Sequence, residues 1–241
     1  MIGYIKCEYI KIRRKYYWLY VILFALANAY VSSSLAAYMN SRQENIDKAA
    51  KVSLGQLAYT LNSNNFYMFG LPFLMAIFLA MYFHMESEND GWKLAKTSGG
   101  NIRKMIYAKL IIVFIFLLYV YCCQLIVTFA YEMYYQIPIL SMSAIASMAV
   151  SLLGAMLNCI FLFLFFMLVD SVVINIVIGI FALILNTIVI QTHYWKYIFT
   201  TYYYNVYSVT IRNQIEIFFV CAAGVFVVVL VLGNLAKARI R

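Results

Sequence analysis

The chain has 241 residues, of which 66% are hydrophobic and 11% are charged, and its formal net charge at pH 7 is +9. Soluble domains contain about 45–50% apolar and about 25% charged residues, so this composition excludes an ordinary soluble enzyme or binding domain. Most of the lysines and arginines flank apolar stretches, where they anchor a membrane protein against anionic lipid. Because no basic–aromatic module lies outside those stretches, we expect no nucleic-acid partner.

Residues 1–16 are predicted to form an N-terminal interfacial amphipathic helix. Its apolar residues recur at steps of three and four, which places them on one helical stripe, whereas the lysines and arginines fall off it. The stripe consists of Ile2, Ile5, Tyr9, Ile12 and Tyr16. Such a helix lies in the inner membrane interface with its cations on the headgroups; an ordinary juxtamembrane basic anchor is the alternative.

Residues 17–241 are predicted to form a six-helix transmembrane permease domain. Six apolar stretches are each long enough to cross a hydrocarbon core about 30 Å thick. They are Tyr17–Met39, Phe66–Met85, Leu110–Tyr131, Met142–Val169, Val172–Ile190 and Ile215–Leu235. The first is too long for the core of a signal peptide, so we expect it to remain uncleaved. The fold class is therefore an all-α polytopic membrane protein.

The distribution of lysine and arginine predicts the orientation of these spans, because such residues are retained on the cytoplasmic side. They concentrate in the head, in residues 86–109 and after the last span, and are sparser in residues 40–65 and 191–214. We therefore expect both the N and the C terminus to be cytoplasmic.

The spans contain polar residues but no ionisable group near their middle, since Glu132 and Asp170 both fall near span ends. Ion-coupled carriers usually place a titratable group within the membrane. The amides are typical of hydrogen bonds between helices; they are Asn28, Gln124, Asn158, Asn175 and Asn186. Asp170 itself is interpreted as a turn residue or helix cap in a tight hairpin between spans four and five.

The aromatic segment 191–214 has two interpretations that the sequence leaves open. Tyrosine and tryptophan rings settle at the membrane–water boundary, which fits an aromatic belt around a simple external loop. A partly re-entrant element buried against protein is equally compatible with this pattern.

The loop at residues 86–109 is the most distinctive connection. Glu86, Asp90 and Lys93 follow one another at steps of four and three on one helical face, and Gly99-Gly100 is typical of a helix end. Trp92 offers a large rigid anchor for a partner pocket. The chain has no Walker A motif, and its two histidines, His84 and His193, are predicted on opposite sides of the bilayer. We therefore expect no catalytic, metal or cofactor site on this chain.

With these features the chain resembles the type-2 permeases of bacterial ABC exporters, and it is most similar to the short permease subunits of lantibiotic-immunity and bacitracin-type exporters. The layout matches over the whole chain, and the sequence matches around the loop. The matching residues are Glu86, Gly91, Lys93, Leu94, Arg103 and Lys109. Gly99-Gly100-Asn101 stands where the family often has a proline shortly before the arginine.

The resemblance implies that the loop docks as a coupling helix on a separate ABC ATPase subunit, which binds the ATP and Mg. The contact residues would be Glu86, Asp90, Gly91, Trp92, Lys93 and Leu94. It also implies a second permease (identical or related), contact with membrane lipid, and a place in the bacterial cytoplasmic membrane.

The implied function is export of an amphipathic, lantibiotic-like peptide antibiotic or a similar lipophilic compound, which confers immunity. The alternatives are an ion-coupled secondary transporter of a lipophilic substrate, a membrane-embedded enzyme and a non-transporting sensor or assembly subunit. The ion-coupled secondary transporter would lose transport on neutralisation of Glu132 or Asp170.

Overall fold

The computed structural model describes residues 1–13, 16–43, 65–88, 101–135, 142–169, 171–190 and 192, together with scattered helical residues between 216 and 227. The complete elements in this part of the chain are all α-helices. They are α1 (Ile2–Arg13), α2 (Tyr17–Gln43), α3 (Asn65–Glu88), α4 (Ile102–Tyr135), α5 (Met142–Leu168) and α6 (Val172–Ile190). The all-α class is thus confirmed for the described residues.

Five of these helices, α2 to α6, are long and apolar enough to cross a bilayer. This result confirms a multi-pass membrane protein. The sixth predicted span, Ile215–Leu235, lies largely outside the described residues, and Gly224, which is described, approaches Leu157 of α5. The number of six spans and the cytoplasmic position of both termini remain predictions.

The predicted hairpin between spans four and five is present. α5 ends at Leu168 and α6 begins at Val172. The side-chain amide of Asn175 donates a hydrogen bond of 3.0 Å to the carbonyl oxygen of Val169, which ties the first turn of α6 to the turn itself. Asp170, the predicted turn or cap residue, lies outside the described residues.

Among the described helices, α3 contacts α2, α5 and α6, while α4 contacts α1, α2 and α5. Bulky aromatic residues and methionine fill the core between them. The largest fully buried side chains include Tyr67, Tyr82, Phe78, Phe116, Phe163, Phe166 and Met75. At the contact between α3 and α6, a Cβ atom added to Gly179 would lie 2.5 Å from the Cβ of Ala76. Glycine therefore permits the close approach of these two helices.

The polar residues predicted within the spans are buried inside the protein. Asn28, Gln124, Asn158, Asn175 and Asn186 are each at most 6% exposed. A separate polar contact joins two helices, because the hydroxyl groups of Tyr121 on α4 and Ser151 on α5 are 2.8 Å apart. Burial of these groups against protein keeps them away from the lipid chains.

The head helix differs from the sequence-based prediction in its extent. α1 ends at Arg13 rather than at residue 16, and Tyr16 has a positive φ of 55° in the turn before α2. Ile12 and Glu8 are the buried residues of α1, whereas Ile2 and Tyr9 of the predicted apolar stripe are exposed. The stripe divides because α1 packs against α4 and buries its Glu8–Ile12 side there. A position in the membrane interface remains a prediction.

Candidate functional site: the helix ends beside the loop

Most of the predicted site residues, Asp90, Gly91, Trp92, Lys93 and Leu94, lie outside the described residues. Glu86 falls in the last turn of α3, and its side chain is also outside the description. The structure therefore describes the site through the two helix ends that carry the loop. These are the end of α3 at Glu88 and the beginning of α4 at Ile102.

The beginning of α4 is capped by Asn101. Its side-chain oxygen accepts a hydrogen bond of 3.2 Å from the backbone N–H of Lys104, which satisfies one of the unpaired donors of the first turn. The backbone N–H of Asn101 itself donates to the hydroxyl oxygen of Tyr4 on α1, at 3.0 Å. The head helix is thus attached to the residue at which the loop becomes α4.

A second attachment of α1 is a set of residues around the buried acid Glu8. This acid cluster consists of Glu8, Tyr82, Lys109 and Lys11. Oxygen Oε2 of Glu8 accepts hydrogen bonds from the Tyr82 hydroxyl at 2.5 Å and from the Lys109 ammonium at 3.0 Å. Oxygen Oε1 accepts from Lys11, one turn along α1, also at 3.0 Å. Both carboxylate oxygens are therefore used, and one of them joins α1 to α3 and α4 at once.

Burial makes this cluster electrostatically strong. Glu8 is 3% exposed and Lys109 is 0% exposed, and the ammonium of Lys109 also lies 4.4 Å from the centre of the Tyr82 ring. Burial alone raises the pKa of the Glu8 carboxyl. The charge of Lys109, the Tyr82 hydrogen bond and the charge of Lys11 outweigh burial, so the pKa ends below its ordinary value. At neutral pH Glu8 is a carboxylate.

Aromatic rings continue from the cluster into α2. The rings of Tyr82 and Phe78 on α3 stack with centroids 5.7 Å apart, and Phe78 stacks on Phe116 of α4 at 3.9 Å. Trp18 on α2 then contacts Phe116 at 5.6 Å and Tyr119 at 4.9 Å. This aromatic ladder, Tyr82–Phe78–Phe116–Trp18, connects the helix ends beside the loop with the first span.

Sequence reasoning did not single out Glu8, Tyr82 or Lys109 as members of one cluster. Glu8 is the one acid in the first 16 residues, and it follows Ile5 by three positions and precedes Ile12 by four. An acidic residue on the same face of a basic helix as Ile5 and Ile12 was the signal in the sequence that could have pointed to the cluster. Lys109 was counted as an orientation signal and as one of the residues that match the family, and only the packing of α1 against α4 shows that it is buried.

An apolar groove lies between α3 and α6, away from the cluster. It has a volume of about 500 Å³ and is open on one side. Its lining is almost entirely apolar and consists of Phe66, Phe69, Gly70, Phe73, Ile180 and Leu183. Such a surface accepts aliphatic or aromatic groups and offers no charge to orient them.

Comparison with known families identifies a match. The sequence model of a family described as ABC-2 family transporter protein matches residues 4–190. No curated protein and no solved structure matches the chain. The matched region begins in α1, contains the loop and the acid cluster, and ends with α6, so it covers more than half of the chain.

The chain belongs to the ABC-2 transporter family. Members of this family are membrane-embedded transport components that work with an ABC ATPase subunit, and they are not themselves the catalytic part. The expected ABC-2 type permease is thereby confirmed, as is the partnership with an ATPase. The match includes most of α1, from residue 4 onward.

Proposed function

We propose that this ABC-2 permease exports an amphipathic, lantibiotic-like peptide antibiotic or a similar lipophilic compound and thereby confers immunity on a bacterial cell. The family match over residues 4–190 carries the transport part of the proposal. The substrate class rests on the resemblance of the loop to lantibiotic-immunity and bacitracin-type permeases.

In this proposal the loop at 86–109 is cytoplasmic and docks on the ATPase as a coupling helix. The spacing of Glu86, Asp90 and Lys93 predicts that they share a helical face, and Trp92 would supply an aromatic anchor of the type that dominates protein interfaces. Closure of the ATP-bound ATPase would then push on the ends of α3 and α4. Two permeases, identical or related, would complete the transporter.

The groove between α3 and α6 supports a lipophilic substrate. An amphipathic compound that sits in the bilayer presents its apolar side to the helices, and Phe69 and Phe73, which line the groove, are partly exposed. Burial of apolar surface there is favourable without any specific polar contact. The cationic side of a peptide would remain among the headgroups.

The first experiment expresses the tagged chain with candidate ABC ATPases and measures both co-purification and survival of a sensitive strain. The challenge is a panel of cationic amphipathic peptide antibiotics. We expect the chain to capture an ATPase and to raise the inhibitory concentration of at least one peptide. The paired substitution Asp90→Ala with Trp92→Ala should abolish both effects.

The control is Trp195→Ala, which removes a tryptophan that is predicted to lie on the opposite side of the membrane. It should leave ATPase capture intact. Capture that survives the Asp90 and Trp92 substitutions would refute the docking part of the proposal. An ATPase complex that protects against no peptide in the panel would refute the substrate class alone.

A further inference from the structure

The acid cluster is unusual because it places a buried ion pair where apolar packing alone would hold two helices together. Taking Glu8 and Lys109 out of water is costly, and well-packed apolar residues of similar size often serve stability equally well. An ion pair adds specificity to the contact, because its hydrogen bonds fix which residues of α1 and α4 face each other. The position of the cluster therefore matters more than its contribution to stability.

That position is at both ends of the loop. Tyr82 lies within the last two turns of α3, and Lys109 lies near the beginning of α4. Glu8 reaches both residues with one oxygen atom. Tyr4, one turn earlier on α1, contacts the cap residue Asn101. α1 therefore contacts the end of one flanking helix and two sites at the beginning of the other.

The same ends are connected to the first span. The aromatic ladder runs from Tyr82 to Trp18 on α2, and Trp18 also lies 6.4 Å, centroid to centroid, from Tyr9 of α1. A displacement of the ends of α3 and α4 cannot leave α1 and α2 in place unless these ring contacts or the hydrogen bonds of Glu8 break.

From this arrangement we propose that Glu8 is a positioning residue for energy coupling: through Lys109 and Tyr82 it makes the head helix move together with the ends of α3 and α4. The inference rests on the proposed function of the loop as the site of ATPase docking. The head is then a moving part of the transmission path, which carries a push on the loop to α2. Loss of the Glu8 contacts would leave ATP hydrolysis intact but separate it from transport.

The test uses the full complex of permease and ATPase in lipid nanodiscs. Amide hydrogen exchange is measured without nucleotide and with ATP and vanadate. In the wild-type complex we expect nucleotide to change exchange in residues 2–13 together with residues 79–88 and 102–110. With Glu8→Gln, the response of residues 2–13 should disappear, whereas the other two segments should still respond.

A second readout is coupling, measured as peptide protection at equal ATPase activity. Loss of a charge-assisted hydrogen bond changes an equilibrium by about tenfold or more, and we expect Glu8→Gln to lower protection by that factor. Tyr82→Phe, which removes one donor and keeps the ring, should have a smaller effect in the same direction. Lys104→Gln is the matched control, since Lys104 is exposed on the same helix as Lys109.

The charge exchange Glu8→Lys with Lys109→Glu separates positioning from misfolding. Each single reversal places like charges side by side and should abolish the nucleotide response of α1, whereas the double variant restores an attractive pair and should recover a measurable part of it. Recovery supports the proposal even if the single variants are poorly folded.

The outcomes distinguish this inference from the proposed function. A chain that captures no ATPase overturns the proposed function and this inference with it. A functional wild-type complex in which residues 2–13 ignore nucleotide overturns the inference alone. So does a Glu8→Gln complex that keeps full coupling, or a folded charge exchange that recovers no response.

Discussion

The carboxylate of Glu8 is held by three donors on three different residues, and this makes the protonation of a single side chain important for the head. Two of those donors are lysine ammonium groups, at 3.0 Å each. An acid that is buried with such partners remains ionised because the partners lower the energy of the charged form more than burial raises it. The attachment of α1 therefore depends on pH in a defined direction.

We expect the attachment to weaken in acid. The pKa of Glu8 is lower in the folded protein than in the unfolded chain, so its contribution to stability is fully present above the unfolded-state pKa. It is lost as the pH falls through the still lower folded-state value. Thermal unfolding in detergent between pH 7 and pH 3 should show a loss of stability that is smaller in Glu8→Gln. Identical pH profiles for the two proteins would contradict this prediction.

Lys109 gives the complementary prediction. Lys109→Met removes the ammonium group and leaves the Glu8 carboxylate buried with fewer partners, which costs about 3–5 kcal/mol in buried ion pairs. The melting temperature in detergent should fall clearly. Lys104→Met, at an exposed position of the same helix, should change the melting temperature little. Addition of Glu8→Gln to Lys109→Met should recover part of the loss, because the buried carboxylate that has lost its Lys109 partner is then replaced by a neutral amide.

At the scale of the helix, two glycines offer equal space but different neighbours. A Cβ at Gly179 would meet the Cβ of Ala76 at 2.5 Å, and a Cβ at Gly70 would meet the far edge of the Phe24 ring at the same distance. A ring edge can move by a side-chain rotation, whereas the Cβ of Ala76 moves only with its helix. The contact between α3 and α6 is therefore the less tolerant one.

We expect Gly179→Ala to destabilise the protein by about 1–3 kcal/mol, in the range of overpacked cores, and Gly70→Ala to cost less. Thermal unfolding of both variants in detergent measures the difference. Gly3→Ala is the control, because a Cβ at Gly3 would meet no atom within 4 Å. Equal losses for Gly179→Ala and Gly70→Ala would contradict the helix-contact explanation.

The helices also show what sequence reasoning can predict. α2 begins at Tyr17 and α6 runs from Val172 to Ile190, as expected from the apolar runs. α4, however, begins at Ile102 rather than at Leu110, because the Asn101 cap starts the helix before the apolar run. Apolar length predicts where a helix crosses lipid, but caps determine where it begins.

The candidate site was less predictable than the spans. The role of Glu8 becomes apparent only when α1 is placed against α4. That contact joins Glu8 and Lys109, which are 101 positions apart in the chain. No local pattern contains this information. The loop residues Asp90 to Leu94 were selected from local spacing and resemblance, and they remain a prediction because they lie outside the described residues.

For the whole molecule, orientation is the main open prediction. Reporter fusions within residues 44–64 and 136–141 should report an external location, and fusions within residues 89–100 and after Arg241 a cytoplasmic one. The physical reason is the retention of lysine and arginine on the inside. An external C-terminal reporter would contradict six spans, and an external loop at residues 89–100 would refute docking on an ATPase.

The turn at Tyr16 has a consequence for the shape of the head. An L-residue other than glycine at a φ of 55° carries a backbone penalty of about 1–2 kcal/mol, so the bend persists only while surrounding contacts hold it. If α1 detaches from α4, Tyr16 is free to return to an ordinary negative φ. Loss of the contacts between α1 and α4 therefore relieves the backbone penalty at Tyr16 and favours a different angle between the head helix and the first span.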